Sequence, residues 1–289
     1  MNYTQTKTDI LNLFDKSTQT DLDEIRASKA SHQAKAKAVN SVVNSTYSGL
    51  YSRYHKIVEP QNRQDSLIIL NYCYAVKALD YRNSVWPYEY MALSRRVGEL
   101  WERFCKAAWD CPTRDNVERI DPPEFNDVIQ KIHDEMISYA KPEEKENVET
   151  TMLYIRDLIG VINMSEDEMF NLDQTPHIID FKSGFGSNEK GNMLRLRAVG
   201  KAYQLWNGGT KLLFLVRQTQ NNNYLEVIRK EGLWDVRCGD DAYDTIDELT
   251  GSKFAAIRGE CVDFDNDLSD VFLEELDGQL SNLKNYFIW

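Results

Sequence analysis

The run Ile178-Ile179-Asp180-Phe181-Lys182-Ser183-Gly184 carries the sharpest chemical signal in the chain. Two apolar residues lead into a D-x-K triplet. Side chains alternate along a strand, so Asp180 and Lys182 fall on one face, about 6–7 Å apart. A carboxylate and an ammonium so placed suit hydrolysis of a phosphodiester. The carboxylate can hold a hard divalent cation, because Mg2+ commonly takes one or two carboxylates together with water and phosphate oxygens. The lysine can orient or deprotonate the attacking water and stabilise charge developing on the phosphoryl group. A bare D-x-K triplet also arises as a surface ion pair, so its weight depends on its surroundings.

Other chemistries are poorly served. Gly184-Phe185-Gly186-Ser187 lacks the G-x-G-x-x-G pattern of a nucleotide-cofactor site, and neither G-x-S-x-G nor G-K-[ST] occurs. The five cysteines (Cys73, Cys105, Cys111, Cys238, Cys261) form no C-x-x-C pair, and the four histidines have no metal-type spacing. Neither a disulfide framework nor a zinc knuckle is supported.

The elements that must position the triplet read as an α/β chain. Residues 1–165 are helical in texture. Leu22 to Val43 favours helix by propensity, Ser66 to Leu79 is densely apolar, and Tyr90 to Trp109 sets Leu93, Val97, Leu100, Trp101, Phe104 and Ala108 on one stripe. A polar stretch with Pro122, Pro123 and Pro142 follows, and helical periodicity resumes over Val148 to Ile162. Beyond Glu168 the texture changes. Met169 to Leu172 and His177 to Ser183 read as short strands around the turn-forming Asp173-Gln174-Thr175-Pro176. Met193 to Trp206 is a helix ended by Gly208-Gly209, and Lys211 to Val216 a buried strand. A strand at Trp234 to Cys238, a helix at Asp240 to Leu249 and a closing helix at Leu268 to Phe287 complete the expectation.

With 289 residues, 42% apolar and 28% charged, the composition is that of a folded protein large enough for one or two domains. No stretch approaches the roughly 18 apolar residues of a membrane helix. Met1 to Ser17 lacks the basic-then-apolar pattern of a signal peptide, so the cytoplasm is the expected compartment. A net charge of −12 argues at first against nucleic acid. The uneven distribution of that charge weakens the objection. Ile25 to Val58 holds six Lys/Arg and no acid, and so does Lys190 to Arg217, whereas Asp240 to the C-terminus carries −10.

The order of parts, an acid-bearing helix, a hairpin with an upstream acid, D-x-K, a glycine loop, a basic helix and a buried strand, resembles the core of the PD-(D/E)xK nucleases. It is similar in particular to type II restriction endonucleases, over roughly Arg95 to Gly251. The resemblance implies a restriction-endonuclease-like mixed-sheet core flanked by helices. That core would occupy 91–289 with the C-terminal helix, behind a large helical N-terminal region at 1–90 or as one continuous domain with it. It implies Mg2+-dependent cleavage of double-stranded DNA at a specific sequence, by a homodimer with no membrane or nucleotide cofactor. The alternatives are a structure-specific repair or recombination nuclease, or a non-catalytic DNA-binding protein of the same fold.

The family motif asks for an acid upstream of D-x-K, and the usual Pro-Asp is missing. A turn at Gln174-Thr175 would put Met169 opposite Asp180 and Asp167 opposite Lys182, on the triplet's face. A turn at Pro176-His177 would put Asp173 opposite Asp180 instead. Asp167 is the preferred metal ligand beside Asp180, with Asp173 the alternative. Gly98-Glu99-Leu100-Trp101-Glu102 resembles the family's G-x-x-x-E helix, which assigns Glu102 to the site with Glu99 as substitute. Lys190, Arg195, Arg197 and Lys201 follow the triplet where a phosphate backbone would pass. Gln218, Gln220 and Asn221 to Asn223 are candidates for base edges or simply a polar loop.

Overall fold

The computed structural model describes residues 1–121, 123–159, 167–184, 190–218 and 223–289. It is an α/β chain, mostly helical, in two compact units: Met1–Asp115 with Asp240–Trp289, and Asn116–Gly239. The expected boundary between 90 and 91 lies inside the first unit, at the start of its fourth helix.

The first unit opens with α1 (Tyr3–Ala27), α2 (His32–Ile57), α3 (Pro60–Asn83) and α4 (Tyr90–Lys106). The Ala- and Lys-rich run predicted as one helix over Leu22 to Val43 is broken, because Ser31 caps α2 by accepting the Ala34 N–H. From Gln64 to Leu79 every residue of α3 is buried, and α1, α2 and α4 all pack against it. A helix apolar on all sides is one wrapped by others. Several of its buried polar groups are partnered, as Asp65 is by Tyr3 Oη donating to it at 3.0 Å.

The second unit holds β1 (Val117–Ile120), α5 (Phe125–Tyr139), α6 (Lys145–Ile159), β2 (Glu168–Leu172), β3 (Thr175–Lys182), α7 (Lys190–Trp206), β4 (Lys211–Val216), α8 (Asn223–Glu231) and β5 (Asp235–Cys238). The five strands form one mixed sheet in sequence order, β1 to β3 antiparallel and β3 to β5 parallel. β4 has the predicted bounds. β1, α5 and α8 were not expected. One face of the sheet carries Met169, Ile178, Leu212, Phe214 and Val216 against Phe125, Val128 and Ile132 of α5 and Leu196, Val199 and Tyr203 of α7. Gly200 explains how closely α7 lies: a Cβ there would sit 2.6 Å from Nε1 of Trp234, which donates to the Leu196 carbonyl at 3.0 Å.

The chain then returns to the first unit with α9 (Asp240–Thr250), α10 (Phe254–Cys261), α11 (Phe264–Asp267) and α12 (Asp270–Asp277). Trp101 of α4 donates to Tyr243 Oη of α9 at 3.0 Å. The closing helix predicted from Leu268 to Phe287 is interrupted at Gly278, which caps α12, and resumes as a 3-10 turn over Ser281–Phe287. Among the described residues no helix is long and apolar enough to cross a membrane.

Candidate active site at the end of the third strand

Asp180 and Lys182 lie at the C-terminal end of β3, the strand at which the sheet changes from antiparallel to parallel. Both side chains project from the face that carries α5 and α7, beside Phe214 and Val216 of β4.

The hairpin before them has neither of the two registers expected. Leu172 pairs with Thr175 and Glu168 with Ile179, so the turn is Asp173-Gln174 alone. Both turn residues have positive φ (51° and 65°), as a type I′ turn requires. This register is shifted by two residues from the one with a Gln174-Thr175 turn, which preserves the face of every side chain. It carries Asp167 to the level of Asp180 instead of Lys182. Asp173 stands exposed in the turn, where its carboxylate accepts from the Asn116 side chain. The register that would have set it opposite Asp180 is not formed.

Three neighbouring acids of the sequence are thereby sorted. Glu168 turns to the opposite face and is buried in a two-pronged pair with Arg119 of β1, at 2.7 and 2.6 Å. Asp167 faces the triplet, and its Oδ2 accepts the Phe181 N–H at 2.7 Å, where the ladder of β2 has run out. Glu166 lies outside the described residues.

Asp180 is 2% exposed. Lys182 Nζ stands 3.2 Å from its Oδ1 as an ion pair, and among the described residues no other donor is recorded on that buried oxygen. Burial, reinforced by the Asp167 carboxylate and opposed by Lys182 and Arg195, raises the Asp180 pKa to about 6. Burial alone would push the Lys182 ammonium down, but Asp180 and Asp167 outweigh it and hold the group above its ordinary value. Arg195, exposed on α7, is close enough for its charge to act on both.

The remaining expected residues are distributed as follows. Lys201 is exposed on α7, while Arg197 is engaged by Glu231 of α8 at 2.9 Å. Lys190 opens α7, and its side chain lies outside what is described, as do Gln220, Asn221, Asn222 and the side chain of Asn223. Gln218 lies against Gly184, where a Cβ would come within 2.7 Å of its Nε2. Glu102 and Glu99 belong to α4 of the other unit, the first held by Lys106 at 2.7 Å and the second by Arg95 and Arg96. Arg119 was not foreseen; the only signal was its place in the short alternating run Val117-Glu118-Arg119-Ile120.

Among the described residues no group of three or more His, Cys, Asp or Glu is arranged to hold a metal ion. The pair Asp167 and Asp180 nevertheless suits Mg2+, which needs only one or two carboxylates. Two carboxylates facing one ammonium leave a net negative charge in a largely buried place, which a divalent cation would offset. No protein-family model, curated protein or solved structure matches the chain.

Proposed function

We propose that this protein is a Mg2+-dependent endodeoxyribonuclease of the PD-(D/E)xK kind, acting as a type II restriction enzyme on double-stranded DNA. The observation that carries the reading is the buried Asp180 carboxylate flanked on one sheet face by the Lys182 ammonium, 3.2 Å from its Oδ1, and by Asp167. Asp180 and Asp167 would hold the cation, which supplies a Lewis acid and an activated water when bound. Lys182 is protonated while both carboxylates face it, and charge neutralised on them loosens its proton. The lysine then orients the nucleophile or stabilises the phosphoryl charge. Arg195 and Lys201 on α7 would meet the phosphate backbone. Glu102 is assigned to the site, and the homodimer inferred, by resemblance alone.

Incubating the purified chain with an unrelated plasmid in Mg2+ and in EDTA tests the proposal. Discrete bands in Mg2+ alone are expected. Nicking confined to junctions or flaps would make it a repair nuclease. Binding that persists in EDTA, with no cleavage in Mg2+ or Mn2+, would make it a non-catalytic DNA-binding protein.

A further inference from the structure

The helical unit carries a second cationic surface, remote in sequence from the D-x-K strand. Ile25 to Val58 contains six Lys/Arg and no acid in a chain whose net charge is −12. The fold divides these cations. Arg26 is taken by Asp23 at 3.3 Å, and Lys35 Nζ turns back to the Arg26 carbonyl at 2.7 Å. Lys29 is exposed between α1 and α2, and Lys37, Arg53 and Lys56 of α2 are exposed and have no ion-pair partner among the described residues. Lys37 and Lys56 are separated by about 28 Å of helix, and at about 100° per residue Lys37 and Arg53 lie about 160° apart around it, so they flank the exposed arc on its two sides. Between them the exposed face holds Asn40, Ser41, Ser45 and Ser48, uncharged groups able to donate and accept.

Beside this face stands an arginine fixed in place. Arg103 of α4 sits over the edge-to-face pair of Tyr47 and Tyr74, its guanidinium carbon 4.1 and 4.0 Å from their centroids. Its Nε donates to Asn71 at 3.1 Å, and no carboxylate pairs with it among the described residues. A guanidinium fixed by two rings and a side-chain amide, with no carboxylate paired to it among the described residues, is preorganised for an anion such as a phosphate. At Gly49 an added Cβ would meet nothing within 4 Å, so no packing contact inside the protein calls for a glycine in the middle of this helix. Without a side chain there, the helix backbone at Gly49 is open to close approach from outside.

We infer that the acid-free face of α2, with Arg103 at its edge, is a docking surface for duplex DNA, its cations on phosphates and its neutral middle toward a groove. Charge complementarity selects the occupant: the major groove admits an α-helix, and the cations at either end reach the flanking strands. The choice of DNA rests on the nuclease reading; the surface itself does not.

The test measures binding, not cleavage, using the full chain and labelled duplexes in Ca2+ across a salt series. Replacing Lys37, Arg53 and Lys56 together by Ala should weaken binding to unrelated duplexes and flatten the log–log salt slope by about 2.7, at about 0.9 per lost phosphate contact. Gly49→Ala should raise Tm while weakening binding, an outcome that a purely structural role for Gly49 does not give. Lys16→Ala and Lys230→Ala, exposed elsewhere, should change neither quantity. Unchanged affinity and slope in the triple variant would overturn the inference. So would a wild-type chain that binds no duplex, or one that binds anionic phosphatidylserine vesicles through these residues and not DNA. Loss of the nuclease reading is separately visible: the wild type would leave DNA uncut in Mg2+ while the α2 effects on binding persisted.

Discussion

Two buried ion pairs, one in each unit, are built to opposite standards. In the helical unit Lys7 meets Asp267 at 2.8 Å, and Tyr72 Oη donates to the same carboxylate oxygen at 2.7 Å. Burial pushes the Tyr72 phenol far up, so it stays a donor. In the sheet unit Asp180 is more deeply buried, yet its lysine stands farther off, at 3.2 Å, and a second carboxylate faces it. A buried pair contributes to a fold only when its remaining polar valences are met. The first pair meets that condition and ties α1 to α11; the second does not. Two carboxylates sharing one lysine at a strand end have a perturbed titration of the kind that clusters at functional sites.

The largest effect should come from the under-satisfied site, and in activity. Lys182→Ala and Asp167→Asn should each lower DNA cleavage by about 10^3-fold or more, the scale of removing one preorganised charge from a reaction centre. Duplex binding in Ca2+ should survive Lys182→Ala. Near-normal cleavage by that variant would exclude this strand end as the reaction centre. In the satisfied pair the effect should fall on folding. Asp267→Asn leaves Lys7 buried without its counter-charge and should cost about 3 kcal/mol by denaturant titration, with no change in the metal response.

Asp180→Asn should act in the reverse sense on stability. Because the folded-state pKa is raised from 3.8 to about 6, the neutral carboxyl is favoured by folding. The contribution is fully present below the unfolded value and is lost as pH rises through about 6. Above that pH the ionised group weighs against the metal-free fold, so the neutral Asn should raise stability at pH 7 by about 1–2 kcal/mol. The variant should also flatten the decline in stability between about pH 4 and pH 6 and abolish any rise in Tm on adding Mg2+. A destabilised Asp180→Asn would mean that Lys182 depends on this carboxylate as Lys7 depends on Asp267.

The sequence made legible what depends on local periodicity. That Asp180 and Lys182 share a face follows from strand alternation alone, and Leu212 to Val216 announced a buried strand by its unbroken apolar run. Register was not legible. It turns on which two residues accept positive φ, and Gln174 is an unfavourable residue for that place. The two-residue shift left the face of Asp167 intact because alternation has period two. β1 was hidden for a different reason: Val117–Ile120 is four residues long with its middle two exposed, and its role appears only when Arg119 meets Glu168, 49 positions along the chain. Arg195 likewise reaches the triplet only through the fold of α7 onto the sheet. The break before α2 and the stop at Gly278 did have local signals, Ser31 and the glycine, masked by the helical composition around them.

The smallest effect should come from Asp173, the acid that the hairpin excludes. Its φ of 51° places it at the first centre of a type I′ turn, where Asn is at least as well accommodated as Asp. Asp173→Asn keeps the backbone bond from its N–H to the Asn116 carbonyl at 3.3 Å, and the amide oxygen still accepts from the Asn116 side chain. The residue is exposed, so no desolvated charge is gained or lost. Stability should therefore move by less than about 0.5 kcal/mol, and cleavage should stay within about twofold of wild type. The comparison with Asp167→Asn is what gives this near-silence its value. Both substitutions remove one negative charge from the same hairpin, so a general electrostatic effect on DNA binding would appear in both. Only the residue brought level with Asp180 should matter for chemistry. Cleavage lost in Asp173→Asn and kept in Asp167→Asn would require the hairpin to re-pair with Asp173 opposite Asp180, turning at Pro176-His177. Such a change would be visible as altered hydrogen-exchange protection of β2 and β3.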